Sequence, residues 1–253
     1  MNKLRFARLS MMAGFALMAN IATAESYLDQ GQLSCLLAPS MEVELSSEVP
    51  GVMRDLKVQR GDKVKKGQVL MSLNSAVERA ALNTARARLE FAQRKVQRNA
   101  DLFRKNLISD HEQDEMLTEQ RLAEFQAKEA QVRLNQRSTR SPLNGIVVER
   151  MKEPGEYVDE TPFLKVVSLN PLHAEVVIQS EFYGQVSPRM PVTLFVDGSA
   201  VEHAGTVKII DPVIDAASNT FAVTVELEND EQLLSAGVRC RVEFIPEPEA
   251  EQS

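Results

Sequence analysis

Three histidines, two cysteines and many scattered carboxylates are the side chains of this sequence best suited to chemistry, and their spacing argues against most of it. His111, His173 and His203 stand far apart with no short ligand spacing. A metal centre or a nucleophile–base pair is not expected on them, and they read as surface or locally satisfied residues. Met41, Met53, Met71, Met151 and Met190 could hold a soft metal ion, but each falls inside a strand-like pattern and reads as core. The acids follow helix surfaces and turns, with no pair set apart for proton transfer. Neither a phosphate loop nor a nucleophile elbow is present. No cofactor and no enzymatic activity are therefore expected. Cys35 and Cys240 lie near opposite ends of the chain. In an oxidising compartment they can form a disulfide, stabilising by roughly 4 to 5 kcal/mol on the chain-entropy model, or they can remain two separate buried thiols. Both readings stay open at this point.

The compartment follows from the first residues. Lys3, Arg5 and Arg8 precede an apolar stretch, LSMMAGFALMANIA, and then Ala22-Thr23-Ala24. This is the build of a secretory signal peptide, residues 1–24, with cleavage after Ala24. The apolar stretch is shorter than the ~18 residues that span a bilayer, no later segment is apolar enough to cross, and no cysteine follows the cut to carry a lipid. A soluble, exported protein is expected. Removing the leader leaves Lys+Arg 26 against Asp+Glu 36, a charge of about −10. Nucleic acid and anionic lipid are poor partners for such a chain.

No chemistry stands out, so the elements carry the argument. VPGVMRDLKVQRGDKVKKGQVLMSLN, residues 49–74, has a second copy in LNGIVVERMKEPGEYVDETPFLKVVSLN, residues 143–170. Gly51 and Gly61 match Gly145 and Gly155, Val64 matches Val158, Leu70 matches Leu164, and Leu73-Asn74 matches Leu169-Asn170, with two extra residues near the end of the second copy. Each copy consists of short alternating apolar runs bounded by Gly, Pro and Asp, which are strand and turn signals. Neither copy can bury its own face, so the two should pack as a small sandwich.

The residues between the copies are of another kind. They are nearly free of Gly and Pro and rich in strong helix formers. Leu82, Ala85, Leu89, Ala92, Val96, Asn99 and Phe103 recur at three- and four-residue steps, as do Met116, Gln120, Ala123, Ala127, Ala130 and Leu134. Two antiparallel coiled-coil seams are predicted, forming a rod of roughly 45 Å. The turn falls in RKNLISDHEQ: Asn106 can end the first helix, and Ser109 with Glu112 can cap the second.

The paired halves resemble a biotinyl or lipoyl domain. The hairpin that would present a carrier's modified lysine is replaced by the helical insert, which makes a carrier component of an enzyme the less favoured reading. Lipoyl-like halves flanking an antiparallel helical hairpin in an exported chain resemble the periplasmic adaptor, or membrane fusion protein, family of tripartite efflux and secretion pumps, related to HlyD. The resemblance implies an inner-membrane transporter of RND type, a TolC-type outer-membrane channel, and a homo-oligomeric ring as partners, with drugs or other small toxic compounds as cargo. An adaptor of an ABC-type exporter or type I secretion system is the alternative. In adaptors that meet TolC-type channels the tip carries Arg, Leu and Ser at set spacings, and RNADLFRKNLIS places Arg98, Leu102 and Ser109 there. The leucine would fill an apolar groove between channel helices while Arg and Ser hydrogen-bond across the rim.

After Pro171 five strand-like runs follow, LHAEVVIQ, MPVTLFVDG, GTVKIIDP, FAVTVELEND and AGVRCRVEF. They resemble the β-barrel of the same family, and LSCLLAPS would add a strand to it, which sets Cys35 near Cys240 if their strands are neighbours. The expected fold class is mixed α and β. Its units are an N-terminal strand at 25–40 joining the barrel, a lipoyl-like sandwich at 41–74 and 141–170, the helical hairpin at 75–140, the barrel at 171–246 and an acidic, disordered tail at 247–253. The family's further membrane-proximal domain is expected to be missing, leaving the barrel to meet the transporter.

Overall fold

Each copy of the repeat lends its turn to the other. The structure, a computed structural model, describes residues 33–245. The expected signal peptide and its cleavage site, residues 25–32 and the tail 247–253 lie outside the described residues. In the first copy β2 (Gly51–Leu56), β3 (Lys63–Val64) and β4 (Val69–Leu73) match β6 (Gly145–Arg150), β7 (Tyr157–Val158) and the start of β8 (Leu164–Gln179) in the second. β2 pairs with β7, and β3 pairs with β6, so the pairing is reciprocal. The turn glycines repeat the exchange: the Gly61 N–H donates to the Val147 carbonyl and the Gly155 N–H to the Met53 carbonyl, both at 2.8 Å. Both glycines have positive φ, 93° and 97°. A side chain there would be strained, which explains why glycine recurs at this step of both copies. Met53, Val64, Leu70, Leu73, Val147, Val158, Phe163 and Leu164 fill the core between the copies.

The barrel is closed by six strands. β1 (Leu33–Leu45) pairs with β12 (Arg239–Phe244), which pairs with β9 (Pro191–Val196). From there the order runs through β10 (Glu202–Ile210) and β11 (Thr220–Leu227) to β8, and β8 returns to β1. The sequence alternates as a half-buried strand must: β11, TFAVTVEL, buries every second residue. Leu37, Leu172, Leu194, Phe221 and Val242 lie in its core. β1 and β8 run through both units. Leu45 and Leu164 belong to the sandwich core, whereas Leu37 and Leu172 belong to the barrel core. At the crossing β1 shifts register between Pro39 and Met41, and β8 contains the cis Asn170–Pro171 peptide. The buried Asn229 ties this point: its amide nitrogen donates to the Leu169 and Leu234 carbonyls at 2.9 and 3.0 Å.

Between β4 and β5 (Ser138–Arg140) stand α1 (Ala76–Arg104) and α2 (Asp110–Asn135). Cross-helix bonds from Arg86 to Gln131 and from Lys95 to Glu119, each 2.7 Å, show that they run antiparallel. Leu82, Ala92, Met116, Ala123 and Ala127 are buried along the contact, and Ala85, Leu89, Val96, Asn99, Phe103, Gln120, Ala130 and Leu134 are half-buried. The base is pinned by Arg137, which pairs with Glu78 at 2.7 Å, donates to the Pro50 carbonyl at 3.1 Å and accepts from the Leu73 N–H at 2.8 Å.

Candidate partner-docking site

The turn at the far end of the helices is built from two complementary caps. Asn106 takes a left-handed backbone, φ 53°. The Leu107 N–H then donates to the Leu102 carbonyl and the Asn106 N–H to the Phe103 carbonyl, both at 2.9 Å. This is a Schellman ending, and it sets Leu107 back against the turn that carries Leu102. Both leucines stay exposed, 39% for Leu102 and 66% for Leu107. α2 then opens with a capping box. The Ser109 hydroxyl accepts from the Glu112 N–H at 3.2 Å, and the Glu112 carboxylate accepts from the Ser109 N–H at 3.0 Å. Beneath the turn Ile108, Phe103 and Met116 line one small cavity. An apolar pair is thus held outward on a stiff support.

Arg98 and Leu102 lie one helical turn apart on one side of α1, and Ser109 lies across the turn. Arg98 is exposed and has no ion-pair partner among the described residues. Ser109 is placed differently from a free hydroxyl: its side chain also donates to Glu112, so the capping box occupies it. Leu107 was not singled out in the sequence. Its signal is an aliphatic residue directly after the helix-ending asparagine, the position that a Schellman turn folds back.

Further down the pair, Phe91 and Leu122 are exposed, 52% and 56%, and line an open groove with Thr84, Ala87 and Thr118. Lys95 and Glu119 bridge the helices beside it, and this bond holds the Lys95 ammonium above the usual lysine range. In the barrel, Cys35 and Cys240 occupy paired positions on β1 and β12 and are joined in a disulfide. The histidines remain apart. His111 is exposed and His203 meets the Ser199 hydroxyl at 3.1 Å. His173 departs from a satisfied residue: its Nε2 is buried without a hydrogen-bond partner, 3.7 Å from Glu226. Among the described residues no three His, Cys, Asp or Glu side chains come together as a metal-holding group. Of the five methionines expected in the core, Met53, Met71 and Met190 are buried, whereas Met41 and Met151 are exposed. Both exposed ones lie by the turns and register shifts that break strict alternation.

A sandwich split by a helix pair and continued by a closed barrel narrows the family. Residues 41–168, half of the chain, match the family described as CzcB-like, barrel-sandwich hybrid domain. The chain belongs to this family, among the membrane fusion proteins or periplasmic adaptors. Among individual members, it is similar to the nodulation protein NolF of Rhizobium meliloti, 26% identical over 238 residues, covering 87% of this chain and 65% of that protein. It is also similar to the membrane fusion protein MtrC of Neisseria gonorrhoeae, 24% identical over 229 residues, covering 79% of this chain and 56% of MtrC. The chain therefore spans less than two thirds of the length of these relatives. Its fold matches a solved MacA-MexA chimera that carries the Pseudomonas aeruginosa MexA α-hairpin domain, with TM-score 0.71, 20% identity and coverage of 86% of this chain and 82% of the chimera. No helix among the described residues is long and apolar enough to cross a membrane.

Proposed function

We propose that this chain is a non-enzymatic periplasmic adaptor that links an inner-membrane transporter of RND type to a TolC-type outer-membrane channel, for export of drugs or other small toxic compounds. In this reading the helix pair is a coiled-coil hairpin, copies of the chain form a ring, and the hairpin tips meet the channel end-on. Arg98, Leu102 and Ser109 are the contact residues implied by the family resemblance, and Leu107 joins them on geometry. The observation that carries the reading is the exposed Leu102–Leu107 pair, fixed by a helix cap on either side at the end of a long, narrow arm. The Schellman cap accounts for the contact between the two leucines and not for the apolar surface they leave in solvent, which an apolar groove between partner helices fits. Ser109 contributes mainly by fixing the turn.

The test is photo-crosslinking in intact cells from a reactive residue at Leu102, with a second at Val213. Val213 is 75% exposed in the loop between β10 and β11, at the barrel end remote from the helices. Capture of an outer-membrane channel at Leu102 and an inner-membrane transporter at Val213 is the expected result. Capture of neither defeats the reading. Leu102→Asp is expected to abolish efflux with export and folding unchanged, because its side chain is exposed at the helix end and is not among the residues buried between α1 and α2.

A further inference from the structure

The two turns exchanged by the repeat occupy equivalent positions and carry opposite charge. Residues 57–67, KVQRGDKVKKG, hold Lys57, Arg60, Lys63, Lys65 and Lys66 against one acid, Asp62. Residues 151–161, MKEPGEYVDET, hold Glu153, Glu156, Asp159 and Glu160 against one base, Lys152. With Gly61 laid on Gly155, Lys65 falls on Asp159 and Lys66 on Glu160.

Folding uses little of the basic charge and part of the acidic charge. All five basic side chains of the first turn are exposed and none has an ion-pair partner among the described residues. Asp62 instead accepts the Gln59 N–H at 2.8 Å, which shapes the turn. In the second turn Glu153 pairs with Arg150 and Glu156 with Lys152, Glu156 and Asp159 accept the Glu153 and Thr161 N–H groups, each at 2.9 Å, and Glu160 is exposed and unpaired. The reciprocal hydrogen bonds relate the turns by a local two-fold, so they lie on opposite sides of its axis. Among the described residues no ion pair joins the basic turn to the acidic turn of the same chain, whose paired glutamates meet Arg150 and Lys152.

We propose that a second copy of this chain docks its acidic turn, residues 151–161, on the basic turn at residues 57–67, head to tail. Two unlike, complementary patches on one chain make a heterologous interface, which closes into a ring when each step carries the right rotation. Unlike charge fixes orientation and rejects the two like-charged pairings, basic on basic and acidic on acidic. The contact must be close, because screening acts over about 8 Å at physiological salt. This inference rests on the ring reading above and supplies its surface.

Sedimentation velocity of the mature chain tests it with Lys63→Glu/Lys65→Glu/Lys66→Glu, which makes both turns acidic, and Glu153→Lys/Glu160→Lys, which makes both basic. Each variant alone should associate about tenfold more weakly than the unaltered chain or worse. A one-to-one mixture should recover association, since every junction then joins unlike turns, and added salt should weaken it. Either variant assembling like the unaltered chain, a mixture that stays apart, or an unaltered chain that remains monomeric at low salt overturns the proposal. Binding of the unaltered chain to anionic vesicles, lost in Lys63→Glu/Lys65→Glu/Lys66→Glu with no recovery in the mixture, would assign the turn to a lipid headgroup and also overturn it. The Leu102 crosslink is independent: channel capture without charge rescue leaves the adaptor standing alone, and charge rescue without capture leaves only the self-association.

Discussion

The barrel and the helix pair treat their apolar residues in opposite ways. In the barrel nearly every inward position is fully buried, including Leu172, Ala174, Val176, Leu194, Val223 and Val225. Along α1 and α2 only small or single side chains reach that state, while Phe91, Leu102, Leu107, Leu122 and Phe125 face solvent. Each barrel strand is covered on one face by the rest of the barrel, whereas each helix has one partner and its remaining faces have none. A two-helix arm buries few apolar side chains in its own contact and gains correspondingly less from it. Its anchorage to the sandwich and its caps make up the difference, and its outer apolar residues are free for contact.

The largest expected effect strengthens that contrast. The Cys35–Cys240 disulfide spans 205 residues and joins β1 to β12, the seam where the barrel closes. Cys35→Ala/Cys240→Ala should lower barrel stability by about 4 to 5 kcal/mol on the chain-entropy model. Hydrogen exchange should rise in β1 and β12 first, with helical circular dichroism retained. If α1 and α2 melt together with the barrel at the same denaturant concentration, the two regions are one cooperative unit and the contrast fails.

Next in size are two leucine truncations. Leu194→Ala in the barrel removes a side chain with no exposed surface and should cost about 3 to 5 kcal/mol. Leu82→Ala on α1 should cost nearer 2 kcal/mol, because solvent and neighbouring long side chains can fill the site. Equal losses in urea titrations would mean that the helix contact is as tightly packed as the barrel.

The helix pair was also the more legible of the two regions. Its seam could be listed from the sequence because a helix with one partner shows its period directly: Leu82, Ala92, Met116, Ala123 and Ala127 are buried at the predicted steps. Asn106 and Ser109 were readable for a similar reason, since caps depend on neighbours three or four residues away. The passage of β8 from sandwich to barrel was not. PFLKVVSL and LHAEVVIQ read as separate runs because Asn170-Pro171 looks like a break, yet one strand continues through them. A proline is tolerated there because pairing changes at the crossing, with Pro39 of β1 opposite Leu172. The exposure of Leu107 depends on the left-handed step at Asn106, and composition alone does not fix it. The charge reversal between the two turns lay in plain view, but only the reciprocal strand pairing gives the turns equivalent places.

A smaller effect isolates the cap from the contact. Ser109→Ala removes the capping-box hydroxyl and should destabilise α2 by about 1 kcal/mol. Ser109→Asp keeps an acceptor at the same position and should restore most of that loss. If efflux follows helix stability across the two variants, the serine acts through the turn; if Ser109→Asp is stable and inactive, the hydroxyl itself meets the partner.

The smallest effect lies in the barrel wall and depends on pH. The Lys208 ammonium beside Glu226 holds its carboxyl below the usual range, against partial desolvation that raises it, and His173 adds a weaker pull. A carboxyl whose folded value is depressed contributes stability that is present above the unfolded value and lost as pH falls through the folded one. For Glu226 that places the loss below its ordinary value of 4.5. Glu226→Gln should leave the helices untouched and flatten the acid limb of barrel unfolding between about pH 5 and 3. The group is about a third exposed, so the change should be modest. Urea midpoints of the two chains that run parallel across that range would show that the Lys208–Glu226 pair adds nothing to the barrel, and that its stability rests on burial and the disulfide alone.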